Sequence, residues 1–92
     1  MTRIIVKKLI WDDYNIEHIK KHKVAVSEVE NLAKNMAVHK RVKKGRYLMI
    51  GRVGTRILSA VISRKGSGVY FPVSARDSDK YERRILYAKE KI

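Results

Sequence analysis

Two hydrophobic periods alternate along this chain and divide it into elements. Residues 3–10 are dense in Ile and Val and predict a first strand. Trp11 is followed by Asp12 and Asp13, and an aspartate there caps a helix expected to run to about His22. Ile16 and Ile19 form its apolar stripe, and Lys20, Lys21 and Lys23 give it a basic end that suits the helix macrodipole. Ser27-Glu28-Val29-Glu30 has the form of a capping box, with Ser27 as N-cap and Glu30 as N3. It predicts a second short helix that turns Val29, Leu32 and Ala33 inward and stops at Asn35. Residues 36–44 are basic and weakly patterned, which suits a twisted edge strand around Val38 and Val42 or a loop.

Beyond that point the period becomes two. Residues 46–53 and 56–63 are strand-like runs separated by Gly54-Thr55, a loop length that suits a tight hairpin. Residues 65–68 form a second turn and 69–75 a third strand, in which Pro72 lacks a ladder donor and implies an edge position or a bulge. Directly opposed residues share a face, so pairing Val53 with Arg56 and Arg64 with Val69 sorts the side chains. One face then carries Tyr47, Met49, Val53, Leu58, Ala60 and Ile62, joined by Val69, Phe71, Val73 and Ala75. The other carries Arg46, Arg52, Ser59, Ser63, Tyr70, Ser74 and Arg76. A slip of one residue inverts the last strand. A final helix opens at residues 77–79, with Asp79 and Glu82 as a capping box and Tyr81, Ile85, Ala88 and Ile92 as its core stripe. Arg83, Tyr87 and Glu90 fall off that stripe. The sum is an α+β fold in a single domain, residues 1–92. It has an antiparallel sheet, two N-terminal helices on one face and a C-terminal helix.

Composition adds a partner to this picture. A hydrophobic share of 45% makes wholesale disorder a poor reading, and the absence of cysteine removes disulfides and thiolate metal sites. The N-terminus lacks an apolar signal core and no run reaches membrane-spanning length, so a cytoplasmic protein without a membrane partner is expected. The formal charge is +13, and all nine acids fall in two outer blocks, residues 12–30 and 77–90. Residues 31–76 hold no carboxylate. Self-repulsion on that scale is tolerated most readily when an anionic partner neutralises it. Nucleic acid leads, because phosphate supplies affinity whatever the base sequence. An acidic protein is second and a membrane surface third.

The residues support little conventional active-site chemistry. His18 and His22 are four apart on one helix but lack the intervening glutamate of a metalloprotease helix, and no further ligand pattern completes a metal site. Ser59, Ser63 and Ser74 have no companion base, and no phosphate-binding glycine loop occurs. No metal or cofactor is expected. What remains is cleavage of RNA, which carries its own 2′-hydroxyl nucleophile and asks the protein to orient, to move protons and to stabilise charge on phosphate. Arg46, Arg64, Arg76, Arg83 and Tyr87 supply that inventory, since guanidinium forks bind phosphate oxygens in pairs. A non-catalytic RNA- or DNA-binding surface uses the same residues, and so does a scaffold for an acidic partner.

The order of motifs resembles a known family. Trp11-Asp12, Lys21-His22, Ile50-Gly51-Arg52, Arg56 with Leu58, then Ser74-Ala75-Arg76 and Glu82-Arg83 with Tyr87 are similar to the BrnT family. These are toxins of type II toxin–antitoxin systems with a RelE-like ribonuclease fold. The resemblance implies a metal-independent endoribonuclease that cleaves mRNA and halts translation. It also implies neutralisation by a BrnA-like antitoxin, in a homodimer or a toxin–antitoxin hetero-oligomer. On this reading Arg76, Arg83 and Tyr87 are the catalytic candidates, and Arg46, Arg52, Arg64 and Lys44 the RNA-binding ones.

Overall fold

The computed structural model of the protein describes residues 4–91. In chain order the elements are β1 (Lys8–Leu9), α1 (Asp13–Lys20), α2 (Val26–Asn35), β2 (Val38–Lys43), β3 (Arg46–Val53), β4 (Arg56–Gly66), β5 (Val69–Asp77) and α3 (Lys80–Glu90). The five strands form one sheet in the order β1-β5-β4-β3-β2. The basic stretch after α2 is therefore a strand, and it lies at the sheet edge. Among the described residues no helix is long and apolar enough to cross a membrane.

The sheet is mixed, which corrects the expectation of an antiparallel one. β1 is only two residues long and runs parallel to β5, pairing Lys8 with Val69 and Leu9 with Tyr70. Local alternation carries no information about strand direction, so the pattern alone did not distinguish the two arrangements. The chain leaves β5 early because Asn15, fully buried, turns it into α1. Its amide nitrogen donates to the carbonyls of Ile10 and Pro72, at 2.9 and 3.2 Å. Its oxygen accepts the Asp12 N–H while Asp12 accepts the Asn15 N–H, a reciprocal cap. Arg3, in the predicted first strand, lies outside the described residues.

The β3–β4 hairpin has the expected register, Val53 opposite Arg56, with Gly54 at a φ of +60° in the turn. The β4–β5 register differs. Shifts between Arg64 and Gly66 and between Val61 and Ile62 place Gly66 opposite Val69 and Arg64 opposite Tyr70. Tyr70 and Pro72 consequently turn inward, where Val69 and Phe71 were expected, and both are buried. The second shift sits beside Pro72, whose missing N–H interrupts the ladder and lets an extra residue, Val73, be inserted. Past that bulge the phase is restored, with Ala60 opposite Ala75 and Ser59 opposite Arg76.

The main core gathers Ile19 of α1, Val29 and Leu32 of α2, and Met49, Leu58, Ala60, Ile62, Tyr70 and Ala75 of the sheet. α2 presses closely on β3: a Cβ on Gly51 would lie 2.9 Å from Leu32 Cδ1 and 3.2 Å from Met36 Cα. α2 begins two residues earlier than its sequence signal. Glu28 accepts the Ala25 N–H at 3.0 Å, Ser27 lies within the helix, and Glu30 is free to accept the Trp11 indole N–H at 2.7 Å. Ile50 and Ser59 alternate away from this core and are nonetheless buried. Ser59 Oγ meets Ser78 Oγ at 2.6 Å at the approach to α3. α3 packs beside β2 and β3 and buries Glu82 and Leu86, whereas Tyr81 and Ala88 of the expected stripe are exposed and Ile92 lies outside the described residues.

Candidate functional site

β5 delivers Arg76 to the face opposite the main core, and the turn into α3 meets it there. Asp79 caps α3 by accepting the Glu82 N–H at 2.8 Å, and Glu82 returns the bond by accepting the Asp79 N–H at 2.9 Å. This reciprocal cap fixes the rotation of the first helical turn and aims the Glu82 carboxylate at Arg76. Arg76 Nη1 and Nη2 donate to the two Glu82 oxygens at 2.8 and 2.9 Å, and Nη1 also reaches the Asp77 carbonyl at 3.2 Å. Those bonds occupy three of the five guanidinium donors and leave two for another acceptor. The Glu82 side chain is 8% exposed and that of Arg76 45%, so the acid is held inside and the arginine looks outward.

Arg83 stands one residue along α3. Its Nη1 donates to the Ser78 carbonyl at 2.7 Å, tying it to the same turn that holds Arg76. Tyr87 follows one helical turn later on the same face and is 44% exposed as a residue. The Arg52 guanidinium, from the end of β3, sits 5.9 Å from the Tyr87 ring centroid. Arg52 also binds Glu90 through Nε and Nη2, at 2.7 and 3.0 Å. That bidentate bond raises the Arg52 pKa and lowers the Glu90 carboxyl below its ordinary range. Arg76 and Arg83 thus meet at one turn, and Arg52 and Tyr87 meet further along the same helix.

The remaining predicted residues lie elsewhere. Arg46 opens β3 opposite Ser63, and Arg64 is opposite Tyr70. Lys44 sits in the β2–β3 turn. Arg64 and Lys44 line one depression together with Arg41, Tyr47 and Lys65. From Ser59, beside Arg76, to Arg64 is roughly 17 Å along β4 at about 3.4 Å per residue. Arg56, part of the family-like pattern, is structural. It binds Asp77, Glu28 and the Lys23 carbonyl and so joins α2 and the loop before it to the end of β5.

Sequence reasoning gave Glu82 a part in capping α3 but no hold on Arg76, and gave Glu90 no hold on Arg52. The capping-box spacing of Asp79 and Glu82 was the available signal for the first. Nothing local marks the second, because its partner lies 38 residues away. Among the described residues no group of three or more His, Cys, Asp or Glu side chains gathers as a metal site. His18 and His22 pack ring to ring at 5.8 Å on α1, with Tyr14 stacked on His18.

A five-stranded mixed sheet with three helices, and an arginine-rich junction between its last strand and last helix, defines the class of small α+β domain. The chain has a BrnT-like fold. It is similar to the crystal structure of the BrnT ribonuclease toxin of Brucella abortus, with a TM-score of 0.66 and 22% sequence identity. The likeness spans 79% of this chain and 97% of that one. No protein-family model matches the chain, and no curated protein does either.

Proposed function

We propose that this protein is the toxin of a toxin–antitoxin pair and acts as a metal-independent endoribonuclease. The observation that carries the reading is the fold shared with a protein described as a ribonuclease toxin. The arginines gathered at the β5–α3 junction support it chemically. In the reaction an RNA 2′-hydroxyl attacks the adjacent phosphorus and the 5′-oxygen departs, so negative charge accumulates on the phosphoryl oxygens. Arg76, through its two remaining donors, and Arg83 stabilise that charge. Tyr87 stacks a base or passes a proton. Arg46, Arg52, Arg64 and Lys44 hold the RNA backbone. The target is mRNA and the outcome arrested translation in the cytoplasm. Neutralisation falls to an acidic, BrnA-like antitoxin, and the one domain is RelE-like.

A second reading, a non-catalytic nucleic-acid-binding domain, is favoured by one feature. Arg76 and Arg52 are each held by a carboxylate in bidentate fashion, as structural arginines are. Incubation of the purified protein with total RNA, with and without EDTA, decides between them. The enzyme reading expects fragments with 2′,3′-cyclic phosphate or 3′-phosphate ends in both samples. Intact RNA bound to a folded protein overturns it.

A further inference from the structure

The charge of this molecule is not spread evenly over its two ends. Around the β5–α3 junction, Arg52, Arg56 and Arg76 each have a carboxylate partner. At the other end the β2–β3 turn and the β4–β5 turn stand side by side, because the Arg64 N–H donates to the Gly45 carbonyl at 2.8 Å. The N-terminal segment closes the same end, with the Lys7 N–H donating to the Gly68 carbonyl at 2.8 Å. Arg41, Lys44, Arg64 and Lys65 line one depression here, and Lys7 lines the next, which shares Tyr47 and Arg64 with it. Among the described residues, no carboxylate lies within ion-pairing distance of any of these five cations. No acid lines either depression.

Tyr47 forms the wall common to both depressions and is partly exposed. Its ring stands edge-on to the buried Tyr70, with centroids 5.9 Å apart, which fixes its orientation. The depression with the four cations has no aliphatic side chain in its lining, only the cations, Tyr47 and two turn glycines. An acidic protein segment docks through apolar anchors in desolvated pockets, and the depression with the four cations offers none of them, the neighbouring one contributing the buried Ile4 and the exposed Ile5. Unpaired cations around a held aromatic ring are instead the combination that takes a phosphate backbone together with an unstacked base.

We propose that this end of the sheet is a second nucleic-acid contact, binding single-stranded backbone through Lys7, Arg41, Lys44, Arg64 and Lys65, with a base stacked on Tyr47. It rests on the nucleic-acid reading above but not on cleavage.

The test uses the full chain and a fluorescein-labelled 12-nucleotide 2′-O-methyl RNA, which lacks the nucleophile and is not cut. Binding is read by anisotropy across a salt series. The probe variant is Arg41→Gln/Lys44→Gln/Arg64→Gln/Lys65→Gln. A control removes equal charge elsewhere as Lys20→Gln/Lys21→Gln/Lys34→Gln/Lys89→Gln, and circular dichroism verifies both folds. Single strands lose roughly 0.7 in the slope of log K against log salt per phosphate contact, so the probe variant loses about 2–3 units of slope and the control less than about 1. Tyr47→Leu weakens binding about tenfold with the slope kept, as loss of one stacked base predicts. A DNA 12-mer run in parallel distinguishes RNA-selective from general single-strand binding. Equal slopes for the two quadruple variants overturn the proposal, as does a poly-glutamate peptide that binds the wild type as tightly as the oligonucleotide. If total RNA stays intact while the slope still falls, the contact stands and the enzyme reading alone is lost.

Discussion

Replacing Glu82 tests how the fold holds its candidate site. Glu82→Ala removes the two acceptors that receive Arg76 at 2.8 and 2.9 Å and the acceptor for the Asp79 N–H at 2.9 Å. A buried ion pair broken on one side costs 3–5 kcal/mol in general, but Arg76 is 45% exposed and water takes over its solvation. The loss from the pair is therefore about 1 kcal/mol, and the lost cap adds about 1 kcal/mol. For a domain of this size each kcal/mol moves Tm by roughly 4–8 °C, so Glu82→Ala lowers Tm by about 8–16 °C. Glu82→Gln keeps one acceptor for the cap and lowers it by about half as much. The assay is thermal unfolding followed by circular dichroism on the two single variants, Arg76→Ala and the double variant. Contacting groups give a coupling energy of about 1 kcal/mol in that cycle. A Glu82→Ala protein melting within about 2 °C of wild type, or a cycle with no coupling, refutes the role assigned to Glu82.

Asn15 is fully buried and satisfies three backbone groups through its side chain, so Asn15→Ala leaves them unpaired and costs about 2–4 kcal/mol by urea denaturation. Gly51→Ala brings a methyl group to 2.9 Å from Leu32 Cδ1, and the overpacking destabilises by about 1–3 kcal/mol, again read by denaturation. The Glu90 carboxyl, lowered from 4.5 by its bond from Arg52, contributes stability that is fully present above its ordinary pKa and is lost as pH falls through the lowered value. The Tm difference between wild type and Glu90→Gln is therefore small at neutral pH, narrows further with added salt, and closes as the pH falls through the lowered value.

The fold was legible wherever a local rule governs. Gly54-Thr55 set the hairpin register, Asp79 and Glu82 set the start of α3, and Pro72 announced its bulge. Three features escaped for physical reasons. The direction of β1 depends on which edge the chain returns to, and hydrophobic alternation is the same in either direction. The first half of β5 was assigned inverted because the turn after Arg64 carries an extra residue, and a slip of one residue exchanges Tyr70 and Pro72 with Val69 and Phe71. The inward side of α3 was drawn through Tyr81 and Ile85, yet the helix buries Glu82, an acid that becomes buriable only when Arg76 meets it. For the site, Arg76 and Arg83 were visible as arginines at a strand–helix junction. That Arg52 and Arg56 meet carboxylates while Arg41, Lys44, Arg64 and Lys65 do not arises from tertiary contacts that no spacing records.

The central claim is that the arginines of the β5–α3 junction stabilise charge on a phosphate undergoing cleavage. Single-turnover cleavage of a defined RNA by wild type and Arg83→Gln, in EDTA, tests it most directly. The substitution keeps a donor for the Ser78 carbonyl, so the two proteins should melt within a few degrees of each other, ~4 °C at most. The account predicts that the variant cleaves at least about 100-fold more slowly, the loss expected when one preorganised charge-stabilising group is removed. A folded variant that cuts within about threefold of the wild-type rate contradicts it.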